Sequence, residues 1–322
     1  MNDRAPASSV AAAAVVAALT LAPGSAAAQY PEDGGGARRA RAATTTPYNP
    51  PRTSDGQPDI QGFYSPDAPA ASHSLEEGEE PENSLGRGRT QAQVDAALKN
   101  RRVLIVDPAP GPRIPYQPWA REKQRELLDA VFAPTRVVDI EPEDRCALMG
   151  VPRSNYRFDF EILQSPGFVT ILYSWNHAYR TIPLDGRPHL PASITLFNGD
   201  SRGHWEGNTL VVDVTNLNDQ TWFDAHGTIH SDALHVVERW TVVDANTINY
   251  EATLEDPKAF TRSWKIAYPI DRIKEANYEL FEEACFEGND LTIEGMLDVG
   301  RGLKAKGIKG RHEHSPGFYD EK

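Results

Sequence analysis

The sequence predicts a mainly β protein: a meander of about ten antiparallel strands closed into a barrel, with two N-terminal helices packed outside it. Three observations predict this. After Asn155, short apolar or alternating runs are separated by tight-turn signals such as Ser165-Pro166-Gly167, Asp185-Gly186 and Gly207-Asn208. No regular strand–helix alternation appears, which argues against a parallel α/β domain. The connections are mostly brief, as a meander requires, and closure would remove exposed strand edges. A two-sheet sandwich is the competing arrangement of the same strands.

Taken in order, residues 1–28 read as a secretory signal. Arg4 supplies a positive start, Val10 to Leu21 an apolar core, and Ala26-Ala27-Ala28 the small residues of a cleavage site. The apolar core is too short for a membrane span, so no stable membrane insertion is expected. A periplasmic or extracellular location follows. Residues 29–57, rich in Gly, Ala, Arg and Pro, read as a flexible linker. Its basic run, Arg38 to Arg41, stands against a net charge of −13, which argues against a nucleic-acid partner.

Residues 58–154 read as a helical and irregular clamp around the barrel. Pro58 to Tyr64 forms its first packed segment, and Ser74 to Asn83 is an acidic, solvated run. Thr90 to Asn100 has a helical composition, with Thr90 as cap. Arg101 to Asp107 predicts a short strand. Pro118 opens a second helix that runs to about Val131, since proline suits the first helical turn. Trp119, Leu127, Leu128 and Val131 would face the body and Trp119 would anchor docking. Arg121, Glu122, Lys123 and Arg125 would face water. Cys146 and Cys285 are the only two cysteines. An oxidising compartment allows them to pair, and two buried thiols are the alternative. A bridge would close a loop worth about 5 kcal/mol on the entropy model.

Residues 155–300 carry the predicted barrel. Its strands are Tyr156 to Leu163, Phe168 to Trp175, Ala178 to Leu184, Ser193 to Phe197, Gly203 to Glu206 and Thr209 to Thr215. Ala233 to Val243, Thr247 to Leu254 and Phe260 to Ile270 follow, with weaker runs at Asn277 to Phe281 and Leu291 to Ile293. Residues 301–322 form a peripheral basic tail, in which His312 and His314 alternate in a polar setting.

The motif set DGQPDIQGFY, RCALMGVPRS, WNHAYRTIPLDGRPH, GDSRGHWEGNTLVVD and FDAHGTIHSDALHVVERW resembles a group of uncharacterised secreted bacterial proteins. Those proteins carry DGKPDLSGVW-like, GRWEGDTLVVD-like and HSDALHVVER-like segments. Gln57, Ile60, Gln61, Phe63 and Tyr64 vary the opening motif here, and His204 and Asn208 vary the later one. The resemblance spans most of the chain after residue 28 and implies export; it brings no reaction with it. The meander with its G-x-W-x-G hairpin is also similar to lipocalin-like barrels.

The chain lacks H-E-x-x-H, G-x-S-x-G, Walker, dinucleotide and C-x-x-C-H signatures. Three polar clusters remain. One holds His177, Tyr179, Arg180, Asp185, Arg187 and His189. A second holds Asp200, Arg202, His204, Trp205 and Glu206. The third runs from Asp224 and His226 through His230, Asp232 and His235 to Glu238 and Arg239. Histidine moves protons near neutral pH, and carboxylates orient it. His177, His230, His235 and Glu238 are therefore the candidate acid–base residues. Each histidine has a plain structural reading as well, a hydrogen bond that holds a loop or wall. Arg180 and Arg239 are candidate anion binders, and Trp205 and Trp222 candidate stacking platforms. On the predicted strand, Asp232, Leu234, Val236, Glu238 and Trp240 share one face, while His235, Val237 and Arg239 share the other. No cofactor is expected. His177, His230 and His235 lack the spacing of a local metal motif, and no metal site is assigned.

Two main readings follow. One is an exported enzyme using general acid–base chemistry, of lyase, hydratase or isomerase type, on a small, partly apolar molecule. The other is a lipocalin-like binding or carrier protein without catalysis. A structural or interaction protein is a third. The sequence assigns no oligomeric state.

Overall fold

The alternation in His235–Val242 is realised as a strand: Val236, Glu238, Trp240 and Val242 are buried, and the residues between them are half-buried. The same two-residue period builds its neighbours. The computed structural model describes residues 48–66, 74–76, 104–107 and 113–308, all in one unit spanning residues 35–322. The signal segment, the Arg38–Arg41 run, the Thr90–Asn100 helix and His312 and His314 lie outside the described residues.

Ten strands form one antiparallel sheet: β1 (Gly62–Pro66), β2 (Ile105–Asp107), β3 (Phe160–Ser165), β4 (Phe168–Tyr173), β5 (Tyr179–Pro183), β6 (Asp200–Glu206), β7 (Thr209–Thr215), β8 (His235–Val242), β9 (Thr247–Glu255) and β10 (Trp264–Arg272). The order is β5-β4-β3-β1-β10-β9-β8-β7-β6, with β2 paired to β10. The two end strands meet through side chains. Arg180 Nε of β5 donates to Ser201 Oγ of β6 at 2.8 Å, and Gly203 leaves room for Ile182 and Leu184. The sheet is thus a nearly closed antiparallel barrel with flanking helices. β1 is built into the wall between β3 and β10, so the barrel draws on residues well before 155.

The predicted strands are met at β2, β3, β4, β5, β6, β7, β8, β9 and β10, with four differences of membership. Ser193 to Phe197 makes only an isolated bridge, Leu196 to Leu217, because it crosses from β5 to β6 as a largely exposed connector. Asn277 to Phe281 is irregular and exposed. Leu291 to Ile293 lies in a helix. Tyr156 and Arg157, expected at the start of a strand, belong to one helical turn.

Among the described residues, three α-helices flank the sheet: α1 (Pro118–Phe132), α2 (Ser154–Arg157) and α3 (Asn289–Ala305). Pro118 opens α1 as expected, but its face is set by Ala120, Gln124 and Leu128. Trp119 is 49% exposed and tethers the helix through its indole N–H, which donates to the Lys258 carbonyl at 2.9 Å. Arg121 turns inward to the buried Glu76, N···O 2.7 Å. An unpaired Glu76 would be costly to bury, so the arginine follows its partner and not the water. α3 packs closely at Gly300, where a Cβ would collide with the Pro134 carbonyl.

A chain of rings fills the space between the walls. Trp240 and Tyr250 lie 4.8 Å apart, Tyr250 and Tyr268 4.9 Å, and Phe160 meets both Tyr173 and Trp240 at 6.0 Å. Cys146 and Cys285 form a disulfide that ties the loop before α2 to the segment before α3.

Candidate ligand-binding site

The segment Trp222 to Trp240 first serves its own folding. Asp224 is fully buried and accepts hydrogen bonds from the backbone N–H groups of Leu75, His226 and Thr228 and from the Thr228 hydroxyl, at 2.7–3.2 Å. Burial pushes its carboxyl upward against those donors, which favour the charged form. Asp256 plays a parallel role, accepting from Ser231 N at 2.6 Å and Ser231 Oγ at 2.8 Å. Two acids thereby hold the turn-rich half of the segment, and Tyr116 donates to the Ile229 carbonyl at 2.7 Å.

His230 is buried within this turn, 3% exposed. Its Nδ1–H donates to the Ser231 carbonyl at 2.9 Å, which leaves Nε2 to accept from the Thr221 hydroxyl at 2.7 Å. Burial lowers its pKa and keeps it neutral. His177 stands elsewhere, 60% exposed, paired with Glu282. His235 lies on the outer face of β8 against Asp213 at 2.7 Å. The four candidate acid–base residues therefore occupy four settings. Among the described residues, no group of three or more His, Cys, Asp or Glu is placed to hold a metal.

Arg180 and Glu238 do meet, across the barrel interior. The Arg180 guanidinium pairs with Glu238 Oε2. Asn155 Nδ2 and the Tyr250 hydroxyl both donate to Oε1 at 2.7 Å, and the Tyr173 hydroxyl donates to Asn155 Oδ1 at 2.7 Å. Burial opposes the charge on Arg180, but Glu238 together with the Tyr173 and Tyr250 hydroxyls outweighs it and the guanidinium pKa moves up. Tyr250 is pushed well up by burial first and by Glu238 second, so its hydroxyl stays a donor. Arg239 points outward to Glu206 at 2.9 Å. Trp222 is buried and Trp205 packs half-buried against the core. Neither set of rings is arranged as an open platform; enclosure in the core consumes Trp222, Trp240 and Trp264 alike.

An open cavity lies outside the barrel, between α1, the 134–144 segment and α3. Its volume is about 280 Å³, close to the small end of ligand pockets, roughly 300–1,000 Å³. Val131 and Phe132 of α1, Ile140, and Met296 and Val299 of α3 give it apolar walls. Its charged lining residues are both acids, Glu141 and Asp144. Glu141 turns Oε1 to the buried Arg153, while Oε2 takes no hydrogen bond from the described residues. The Asp144 carboxylate is likewise without a hydrogen bond or ion pair there. Burial raises the pKa of Glu141, opposed by Arg153 and reinforced by Glu143; burial and Glu143 raise Asp144. Sequence reading passed over this site. Leu291 to Ile293 of its α3 wall reads as a weak strand, and the sequence reading gives Glu141 and Asp144 no role. The available signal was the helical spacing of Ile293, Met296, Leu297 and Gly300 after Gly288.

No protein-family model matches the chain, and no curated protein matches it. Among solved structures, a "secretary abundant heat soluble (SAHS) protein" from Ramazzottius varieornatus is similar over 45% of this chain and 85% of that one, with 9% identity and a TM-score of 0.24. A superposition that loose carries no argument about this chain.

Proposed function

We propose that this chain is a small-molecule-binding β-barrel protein without catalysis, exported to the periplasm or beyond, and lipocalin-like in architecture though not in where it holds its ligand. One observation carries the reading: the apolar cavity of about 280 Å³ between α1 and α3, with Glu141 and Asp144 in its lining. Ligand sites combine apolar walls with a few convergent polar groups, and this cavity does so. The barrel interior, by contrast, is occupied by aromatic rings and a bonded Arg180–Glu238 pair. The disulfide suits an oxidising compartment. Acid–base catalysis has less support, because His177, His230, His235 and Glu238 do not share a solvent-reachable site.

The test is a small-molecule fragment screen by protein-observed NMR on the purified chain. Bound fragments are expected to shift the methyl signals of Val131, Ile140, Met296 and Val299 and to be recovered unchanged. Shifts confined to the barrel interior, or chemical turnover of the bound fragment, would overturn the reading. Gly295→Leu is the control. Gly295 lines the cavity and open space surrounds its missing Cβ, so the larger side chain should fit the helix and obstruct the site.

A further inference from the structure

We infer that the cavity between α1 and α3 selects an organic amine, a primary or secondary ammonium group carried on an apolar chain or ring. This rests on the binding reading above and names the ligand's chemistry. The lining contributed by α1 and α3 is uncharged, and among the described residues the only charged members of the lining are Glu141 and Asp144. Among the described residues, the arginines that follow Asp144 closely in sequence are already committed. Arg153 bonds Glu141 Oε1 and Glu143 Oε2, and Arg157 bonds Glu143 at 2.9 Å. Arg145 donates to the Ile140 carbonyl at 2.9 Å. Both acids line the cavity, and among the described residues Glu141 Oε2 and the Asp144 carboxylate accept no hydrogen bond.

An ammonium supplies two or three N–H donors and a positive charge, while an alcohol supplies one donor and a carboxylate none. Charge-assisted hydrogen bonds are roughly twice as strong as neutral ones. A carboxylate ligand would meet like charge. The apolar part of the amine would lie on Val131, Ile140, Met296 and Val299. Glu141 and Asp144 both need to be ionised for this recognition. Protonation therefore weakens it, and the raised pKa values make that loss begin above the ordinary carboxylate range. The charged groups set against these two acids are Arg153, Arg157 and Glu143, with the Tyr156 hydroxyl behind Glu141.

The test compares n-hexylamine, n-hexanol and hexanoate by isothermal titration against the whole chain at about pH 8. Hexylammonium should bind roughly tenfold or more tighter than hexanol, and hexanoate weakest. Asp144→Asn should reduce hexylammonium affinity roughly tenfold and leave hexanol unchanged; Asp144 has no side-chain bond to lose, so the fold is retained. Lowering the pH toward about 5 should weaken hexylammonium and not hexanol. If hexanol or hexanoate binds as well as the amine, the amine inference falls and the binding reading stands. If none of the three binds the wild-type protein and the fragment screen also leaves the cavity methyls unshifted, both fall.

Discussion

Arg180 and Glu238 show what one buried pair does to a wall. Both side chains are almost wholly enclosed, and removing one partner leaves a charge without compensation. Arg180→Met is expected to cost about 3–5 kcal/mol in urea denaturation. Adding Glu238→Leu should recover much of that, because an apolar pair of similar volume is often neutral or better. A double variant no more stable than Arg180→Met would show that Asn155, Tyr173 and Tyr250 depend on Glu238 for their own order. His230 gives a pH-dependence whose sign is set by burial. Its folded pKa lies below the unfolded value of about 6.5, so the unfolded chain takes up the proton first. Stability is then lost as pH falls through about 6.5. His230→Asn should flatten that part of the stability profile, and an unchanged slope would assign it to other groups. The alternation of β8 was readable in advance: Glu238 inward, Arg239 outward. The partners of each were not, because Arg180 is 58 positions from Glu238 and strand periodicity names a face, never a neighbour.

Among the elements, α3 is the one that sequence reading divided wrongly. Leu291 to Ile293 contains two β-favouring side chains and sits after a turn-like stretch, so local propensity suggested a strand. The helix forms because Met296, Leu297 and Gly300 repeat on one side and dock against the segment after α1. Two of its three glycines have opposite roles. Gly295 has open space at its Cβ position, and Gly300 presses on Pro134. Gly295→Ala should therefore stabilise by up to about 1 kcal/mol through helix propensity. Gly300→Ala should destabilise and release α3, with faster proteolysis within Asn289–Ala305. Equal effects would mean that α3 is not held at Pro134. The DGQPDIQGFY motif proves to be an element-level device as well. Gly62 has φ +130° and makes room for Arg272, whose guanidinium lies over the Tyr64 ring at 4.8 Å and bonds the Gln61 carbonyl. That contact fixes β1 against β10.

For the whole molecule, β1 is the strand that makes a single barrel out of two groups of strands. β3 to β5 lie on one side of it and β6 to β10 on the other. The Cys146–Cys285 bridge closes a span of 139 residues that includes β3 through β10. Replacing both cysteines by serine should lower stability by about 2–5 kcal/mol. It should also leave one cooperative transition, with near- and far-ultraviolet dichroism coinciding, because β1 still joins the two groups. Two separated transitions would mean that the bridge, and not β1, unifies the barrel. The predicted pairing of these cysteines needed only composition and an oxidising setting. That the bridge draws the base of α3 toward the 134–144 segment, and so helps to build a cavity, was beyond any count of residues.

What the sequence determined by itself is everything carried by a short period. Turn residues at the ends of alternating runs mark most of the strands and their antiparallel sense, Pro118 marks the start of α1, and Val236, Glu238 and Trp240 mark an inward face. These follow from backbone geometry over two to four residues. What only the tertiary structure decided is which distant groups share a place. The candidate histidines are spread among a buried turn, an outer wall and an exposed loop, while Glu141 and Asp144 come to line one cavity with Met296 and Val299. Convergence of that kind depends on strand order and helix docking, which bring together residues more than 150 positions apart. No local pattern encodes it, because the energy that selects it is the burial of the whole sheet and its flanking helices at once.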